Sequence, residues 1–176
     1  MTACFSVPDC SSFLRVLGPT SENSLTLVHA NIRSLRKHWD EFRVYIASLQ
    51  PPVDLFVLTE ISISSLQCAE FTLNGYKELF YTRDTGRGGG IAIYVKGVWL
   101  ISKVSVQFAH AGNLAVNISQ PRFSLFLLAG YRPPFEKVSL FLAELEQALK
   151  QFYSKGQFCL VGDFNIDALQ PGKSTV

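Results

Sequence analysis

Three short apolar runs in this chain each break off into polar residues of the kind that handle metal or phosphate, and this repeated ending constrains the fold more than any other feature. Leu25-Thr26-Leu27-Val28-His29-Ala30 alternates and is β-rich, so it reads as a strand that delivers Asn31. Val53 to Leu58 is an apolar run of the buried-strand type that presents Thr59 and Glu60. Phe158 to Val161 is a third such run, and it passes into Gly162-Asp163-Phe164-Asn165. Between the first two, Leu35, Trp39, Phe42, Ile46 and Leu49 recur at helical steps, with Ser34 as an N-cap and Pro51-Pro52 as a stop. A second helix is expected before the third run, with Val138, Phe141, Leu142, Leu145, Leu149 and Phe152 on one face and Lys155-Gly156 at its end.

The middle of the chain has a different character. Ile91 to Val95, Leu100 to Phe108, Leu114 to Ser119 and Phe123 to Ala129 are strand-like, separated by short turns with no helix between them, which implies antiparallel pairing. Two strand-helix-strand units flanking an antiparallel run predict an α/β fold of two packed mixed or antiparallel sheets flanked by helices, not one parallel sheet. Residues 1–24 mix Ser, Pro, Thr and Gly without a sustained period and read as a leader or linker, so the domain is placed at 25–176. With 176 residues, 48% of them hydrophobic, the chain has the length of one domain and ample material for a core.

Composition leaves the ligand open. A net charge of +2 and a pI of 8.4 are too mild to mark a nucleic-acid binder, because that affinity depends on local clusters. Cys4, Cys10, Cys68 and Cys159 lack paired spacing and read as reduced thiols of an intracellular protein. The opening MTACFSVPDC has neither the basic nor the apolar region of a signal peptide. No uncharged apolar run reaches the roughly 18 to 20 residues of a membrane span, so a soluble protein with no membrane partner is expected.

Strand ends are where a rigid scaffold can place reactive groups. Glu60 is a candidate ligand for a hard cation, which takes oxygen donors and few carboxylates. On the residues alone, a strand end in solvent is the simpler reading of Glu60. Gly162-Asp163-Phe164-Asn165 puts an acid and an amide on one side of a sharp turn, and a plain Asx-turn is the alternative there. The Gly86 to Gly90 run precedes a strand instead of opening a helix, so it is a hairpin turn and not a dinucleotide loop. Arg33, Arg87 and Arg132, with Arg36, Lys37 and Arg83, fall near the site-side loops and could touch phosphates; solvated surface charge is the alternative for each.

HANIRSL, LFVLTE, GRGGGIAIYV, LAGYRPP and FCLVGDFNID follow one another between residues 25 and 167. That ordered set resembles the endonuclease/exonuclease/phosphatase superfamily, and most closely the apurinic-type endonuclease domain of non-LTR (LINE-like) retrotransposons, for which GGGIAIYV and YRPP are the most specific blocks. The resemblance implies a four-layer, DNase I-like α/β sandwich that uses Mg²⁺, or Mn²⁺, to cleave DNA. Carried over by residue, it makes Glu60 a metal ligand with Asn31 at the metal end of the site. Tyr131 would contact the scissile phosphate or the nucleophile network, Asp163 would orient or deprotonate the attacking water, and Asn165 would hydrogen-bond phosphate. It further implies a downstream reverse transcriptase in the parent element and a nuclear location for a functional protein.

Members of that superfamily also use a Ser-x-Asp-His or Ser-Asp-His segment near the domain end. Here His29, His38 and His110 all precede Asp163. His29 reads as a strand residue, His38 as part of an exposed helix face, and His110 as a turn residue beside Ala111-Gly112. The expectation is therefore a C-terminally truncated domain, incomplete as a fold, with a bare apolar edge at Phe158 to Val161 and weak or no activity. A non-catalytic retroelement remnant that at most binds nucleic acid stays open. So does a phosphatase or lipid phosphodiesterase on the same scaffold, against which the GGGIAIYV and YRPP blocks argue.

Overall fold

A computed structural model describes residues 24–50, 52–83, 88–153 and 155–167, and within them the strands pair into two four-stranded sheets. The first sheet runs in the order β1 (Leu27–Asn31), β2 (Leu55–Thr59), β4 (Ile91–Lys96), β3 (Tyr76–Tyr81). The second runs β5 (Leu100–Val104), β6 (Gly112–Gln120), β7 (Phe123–Tyr131), β8 (Gln157–Asp163). Only β1 with β2 and β7 with β8 are parallel, and each of these pairs is bridged by a helix, α1 (Leu35–Ser48) or α2 (Val138–Tyr153). The remaining pairings are antiparallel. Both expected strand-helix-strand units and the antiparallel middle are therefore present.

The unbroken apolar character of β2 follows from burial on both faces. Leu55 and Val57 join Ile93, Val116, Ile118, Leu127 and Ala129 between the sheets, while Phe56 and Leu58 join Leu35, Phe42 and Tyr94 under α1. A third cluster packs Ala148 and Phe152 of α2 on Ala115 and Leu128. The layers are thus helix, sheet, sheet, helix. Ser34 caps α1 by accepting from the Lys37 amide at 3.4 Å.

Several local expectations shift. The buried stripe of α2 runs through Phe141, Ala148 and Phe152, with Leu145 at its flank, whereas Leu142 is 47% exposed because it lies one residue round the helix from Phe141. The strand expected over Leu100 to Phe108 ends at Val104. Strand β3, Tyr-Lys-Glu-Leu-Phe-Tyr, and a 3₁₀-helix at Ser65–Glu70 were not anticipated. Gly88 to Gly90 fall on the connection between β3 and β4, in keeping with a hairpin. Residues 1–23, Cys4, Cys10, Pro51 and Arg87 lie outside the described residues. Cys159 is a free thiol, and Cys68 Sγ donates to Ser64 O at 3.6 Å. No helix among the described residues is long and apolar enough to cross a membrane.

One buried carboxylate ties the far end of the first sheet together. Asp54, 6% exposed, accepts from the Thr26 amide at 3.0 Å and from Trp99 Nε1 at 3.2 Å, while its carbonyl accepts from Lys96 N at 2.8 Å. It joins the approach to β1, the start of β2 and the end of β4. Asp54→Ala strands two donors in an apolar setting, so urea denaturation should show a loss of about 3 kcal/mol. A change below about 1 kcal/mol would mean that water replaces the carboxylate.

Candidate active site

Strand register brings the three polar endings together. In the parallel pair of the first sheet Asn31 stands opposite Thr59, which places Glu60 one residue beyond; in the second sheet Tyr131 stands opposite Asp163. The two sheets then meet at a single amide. Asn31 Nδ2 donates to Glu60 Oε1 at 2.9 Å and to Asp163 Oδ2 at 2.8 Å, while Asn31 Oδ1 accepts from the Arg33 backbone N–H at 3.1 Å. These partners fix the amide orientation, because the carboxylates need a donor and the Arg33 amide needs an acceptor.

The backbone at the site is bent into a conformation most side chains avoid. Glu60 has φ 57°, Asn165 φ 50° and Arg33 φ 55°. Asn accepts the left-handed region readily, but for Glu it costs about 1 kcal/mol or more. The bend at Glu60 stops β2 immediately after the fully buried Thr59 and turns the carboxylate toward Asn31. At Asp163 the Asx-turn does form, with Asn165 N donating to Asp163 Oδ1 at 3.2 Å. The turn and the site are one structure, since the same carboxylate holds Asn31 with its other oxygen.

Two glycines allow β7 and β8 to close there. A Cβ on Gly162, which has φ 154°, would lie 1.9 Å from Gly130 O, and one on Gly130 would lie 2.8 Å from the Phe164 ring. Phe164 folds over Gly130 and stacks on Phe141 with centroids 5.4 Å apart.

Arg132 departs from its expected part as a phosphate contact. It is 2% exposed. Its Nε donates to Phe164 O at 2.7 Å, Nη2 to Asn165 O at 2.5 Å, and Nη1 to Pro133 O at 3.1 Å and to Glu136 O. Asn165 Nδ2 donates back to Arg132 O at 2.8 Å. The guanidinium is the clasp between the Tyr-Arg-Pro-Pro and Gly-Asp-Phe-Asn segments. Arg33 is exposed and takes part through its backbone amide.

Tyr131 is 7% exposed, and its pKa is raised by burial first, then by the Glu60 and Asp163 charges, with Arg83 opposing. It therefore stays a neutral phenol that can donate. A Cβ on Gly89 would meet Arg83 Cδ at 3.1 Å and Tyr131 Cε1 at 3.2 Å, so the bare glycine lets Arg83 and the Tyr131 ring converge. His29 faces the space between the sheets, with Nε2 3.3 Å from Thr59 Oγ1; burial lowers its pKa, and nearby Asp163 offsets this only in part. His38 is half-buried and pairs with Glu41 at 2.9 Å.

The donor set at this end is the oxygens of the Glu60 and Asp163 carboxylates, held together by the Asn31 amide. It fits Mg²⁺, which often takes one or two carboxylates and completes its octahedron with water and phosphate oxygen. Among the described residues no cluster of three or more His, Cys, Asp or Glu forms an all-protein cage. Glu60 suits direct ligation; Asn31 presents its nitrogen to both carboxylates and its oxygen to Arg33, which makes it first of all their bridge.

No family model and no curated protein matches the chain. Solved structures do. The endonuclease domain of TRAS1, a telomere-specific non-LTR retrotransposon, superposes with a TM-score of 0.65 at 13% identity, covering 82% of this chain and 62% of that one. TDP2 from Caenorhabditis elegans gives 0.64 at 15% identity, over 83% of this chain and 49% of that one. The 3′ phosphatase NExo from Neisseria, bound to product DNA hairpin, gives 0.59 at 18%, over 81% and 58%. The chain shares the fold of these three structures. The chain spans 62% of the length of the TRAS1 domain.

Within this fold Asn31, Glu60, Tyr131, Asp163 and Asn165 lie at one end, as the sequence resemblance implied; the sequence reading named Arg83 only as one of six basic residues that could touch phosphates, and it missed the clasp made by Arg132. The Tyr-Arg-Pro-Pro block signalled that Arg132 matters but not which way it faces. Two substitutions follow from the geometry. Glu60→Gly relieves the left-handed strain and should raise stability in urea by about 1 kcal/mol; a loss would show that the Asn31 bond outweighs the strain. Arg132→Lys cannot reproduce the forked donation and should cost about 2 to 3 kcal/mol, so a neutral result would refute the clasp.

Proposed function

We propose that this chain is the metal-binding, water-activating part of a Mg²⁺-dependent phosphodiesterase domain that nicks DNA in the manner of a retroelement endonuclease. The observation that carries this reading is the Asn31 amide holding Glu60 and Asp163 together across the two sheets, above a neutral Tyr131. DNA as substrate rests on two neighbours in fold, one named as a retrotransposon endonuclease domain and one bound to a DNA hairpin product.

When bound, Mg²⁺ supplies Lewis-acid neutralisation of phosphate charge at Glu60. The chain's own residues do the rest. Asp163 has both carboxylate oxygens oriented, one by Asn31 Nδ2 and one by Asn165 N, and it accepts a proton from the attacking water. Tyr131 donates its hydroxyl hydrogen bond to the oxygen on which charge develops. Asn165, with one amide hydrogen given to Arg132 O, turns the other to a phosphate oxygen. Among the described residues no histidine hydrogen-bonds to Asn31, Glu60 or Asp163, so in this reading the 176-residue chain by itself cleaves weakly.

Relaxation of a supercoiled plasmid in Mg²⁺ tests the proposal, using the chain alone and the chain joined after Asp167 to the C-terminal remainder of the TRAS1 endonuclease domain. The joined protein should nick, and Asp163→Ala should slow it by about 10² to 10⁴-fold. Glu60→Gln should require far more Mg²⁺. Nicking by a well-folded fusion that persists with Ala at position 163 would overturn the assignment. Phosphate release from a 3′-phosphorylated oligonucleotide with no nicking would favour a phosphatase instead.

A further inference from the structure

The end of the sandwich that carries Asn31, Glu60 and Asp163 has a second concavity that these three residues do not line. It has a volume of about 60 Å³, and its walls include Tyr81, Arg83, His110, Gly112, Pro133 and Glu136. That volume holds a few water-sized groups, which is the scale of the oxygens of a phosphoryl group.

His110 is fixed in this wall. Glu144 of α2 accepts from Ala109 N at 3.0 Å and His110 N at 3.3 Å, and one of its oxygens lies 2.7 Å from His110 Nδ1. Burial pushes the Glu144 carboxyl up, but the hydrogen bonds from His110 and Ala109 bring it below its ordinary value, so the anchor is ionised. With Nδ1 committed, Nε2 is the ring nitrogen left to meet a ligand. Arg83 forms another wall and approaches Tyr131 across Gly89. The pocket is also placed for a neighbouring phosphate. Gly112 pairs with Tyr131, and Tyr131 pairs with Asp163 on its other side. Two strand spacings, about 10 Å, thus separate the pocket rim from the Asp163 strand, a short step along a nucleic-acid backbone.

We propose that this pocket is a phosphate subsite that takes a DNA backbone phosphate flanking the scissile one. Arg83 is its charged donor, His110 a positioned hydrogen-bond partner, and Glu136 an opposing carboxylate that keeps the site weak. The inference rests on the reading of the chain as a DNA phosphodiesterase. It adds a contact that the metal end does not provide, and it gives two residues of one pocket opposite effects on affinity.

Fluorescence anisotropy with a labelled DNA duplex in Mg²⁺-free buffer, between about 50 and 200 mM salt, reads the subsite directly. Arg83→Gln should weaken binding about fivefold or more and reduce the slope of log affinity against log salt by about 1. Glu136→Gln should tighten binding, a result that misfolding cannot imitate. His110→Gln should weaken binding with the slope unchanged. Wild-type affinity and slope in both Arg83→Gln and Glu136→Gln, with Asp163-dependent nicking retained, would overturn the subsite and leave the function standing. No binding by the wild-type chain would overturn both. Equal Arg83-dependent binding of inorganic phosphate alone would overturn the backbone assignment in favour of a free-phosphate site.

Discussion

The site depends on a buried cation whose hydrogen-bond partners are all main-chain carbonyls. Removing a guanidinium from water costs several kcal/mol, and only dense, well-aligned acceptors offset it. Arg132 finds them at Pro133, Glu136, Phe164 and Asn165, two segments far apart in sequence and adjacent in space. With a carboxylate partner the charge would be neutralised locally. With carbonyls it instead fixes the path of two loops, and through Asn165 and Asp163 it sets where the proposed water-activating carboxylate stands.

Around that clasp the sheets supply direction and the glycines supply proximity. Each parallel pair ends in the same sense, so Asn31 with Glu60 and Tyr131 with Asp163 emerge at one end of the sandwich. Gly130 and Gly162 let β7 and β8 close until Phe164 can seal the loop against Phe141. The left-handed bend at Glu60 is the opposite case, a residue kept where glycine would be more comfortable. Backbone strain of this kind persists where neighbouring contacts over-determine it, and the Asn31 bond is such a contact.

The parts of this arrangement that were legible in the sequence are those written in short-range pattern. Strands β1, β2, β4 and β8 were visible because burial on one or both faces leaves alternation or an unbroken apolar run, and α1 because its stripe and cap agree. Strand β3 escaped because Lys77 and Glu78 interrupt its apolar residues at the edge of a sheet, where one side of the ladder is unpaired. Ala148 escaped because a small residue carries little hydrophobic signal, although its size lets α2 approach Ala115 and Leu128. The polar strand ends were readable one by one, but their union was not: nothing local says that Asn31 turns its nitrogen to two carboxylates, or that Arg132 points inward. His110 looked like an ordinary turn residue for the same reason, since its partner Glu144 lies on a helix 34 residues away.

The bond between Asn31 and Asp163 spans 132 residues of chain. A contact of that separation closes late, after the local hairpins and helices have formed, because the loop entropy must be met before the contact can contribute. On the ribosome the first sheet emerges well before β8, and throughout that interval Asn31 and Glu60 have no Asp163 to meet. The Asn31, Glu60 and Asp163 arrangement is therefore assembled in one step, when the second sheet docks on the first. A chain that has misfolded, or has not finished folding, never brings the two carboxylates onto one amide.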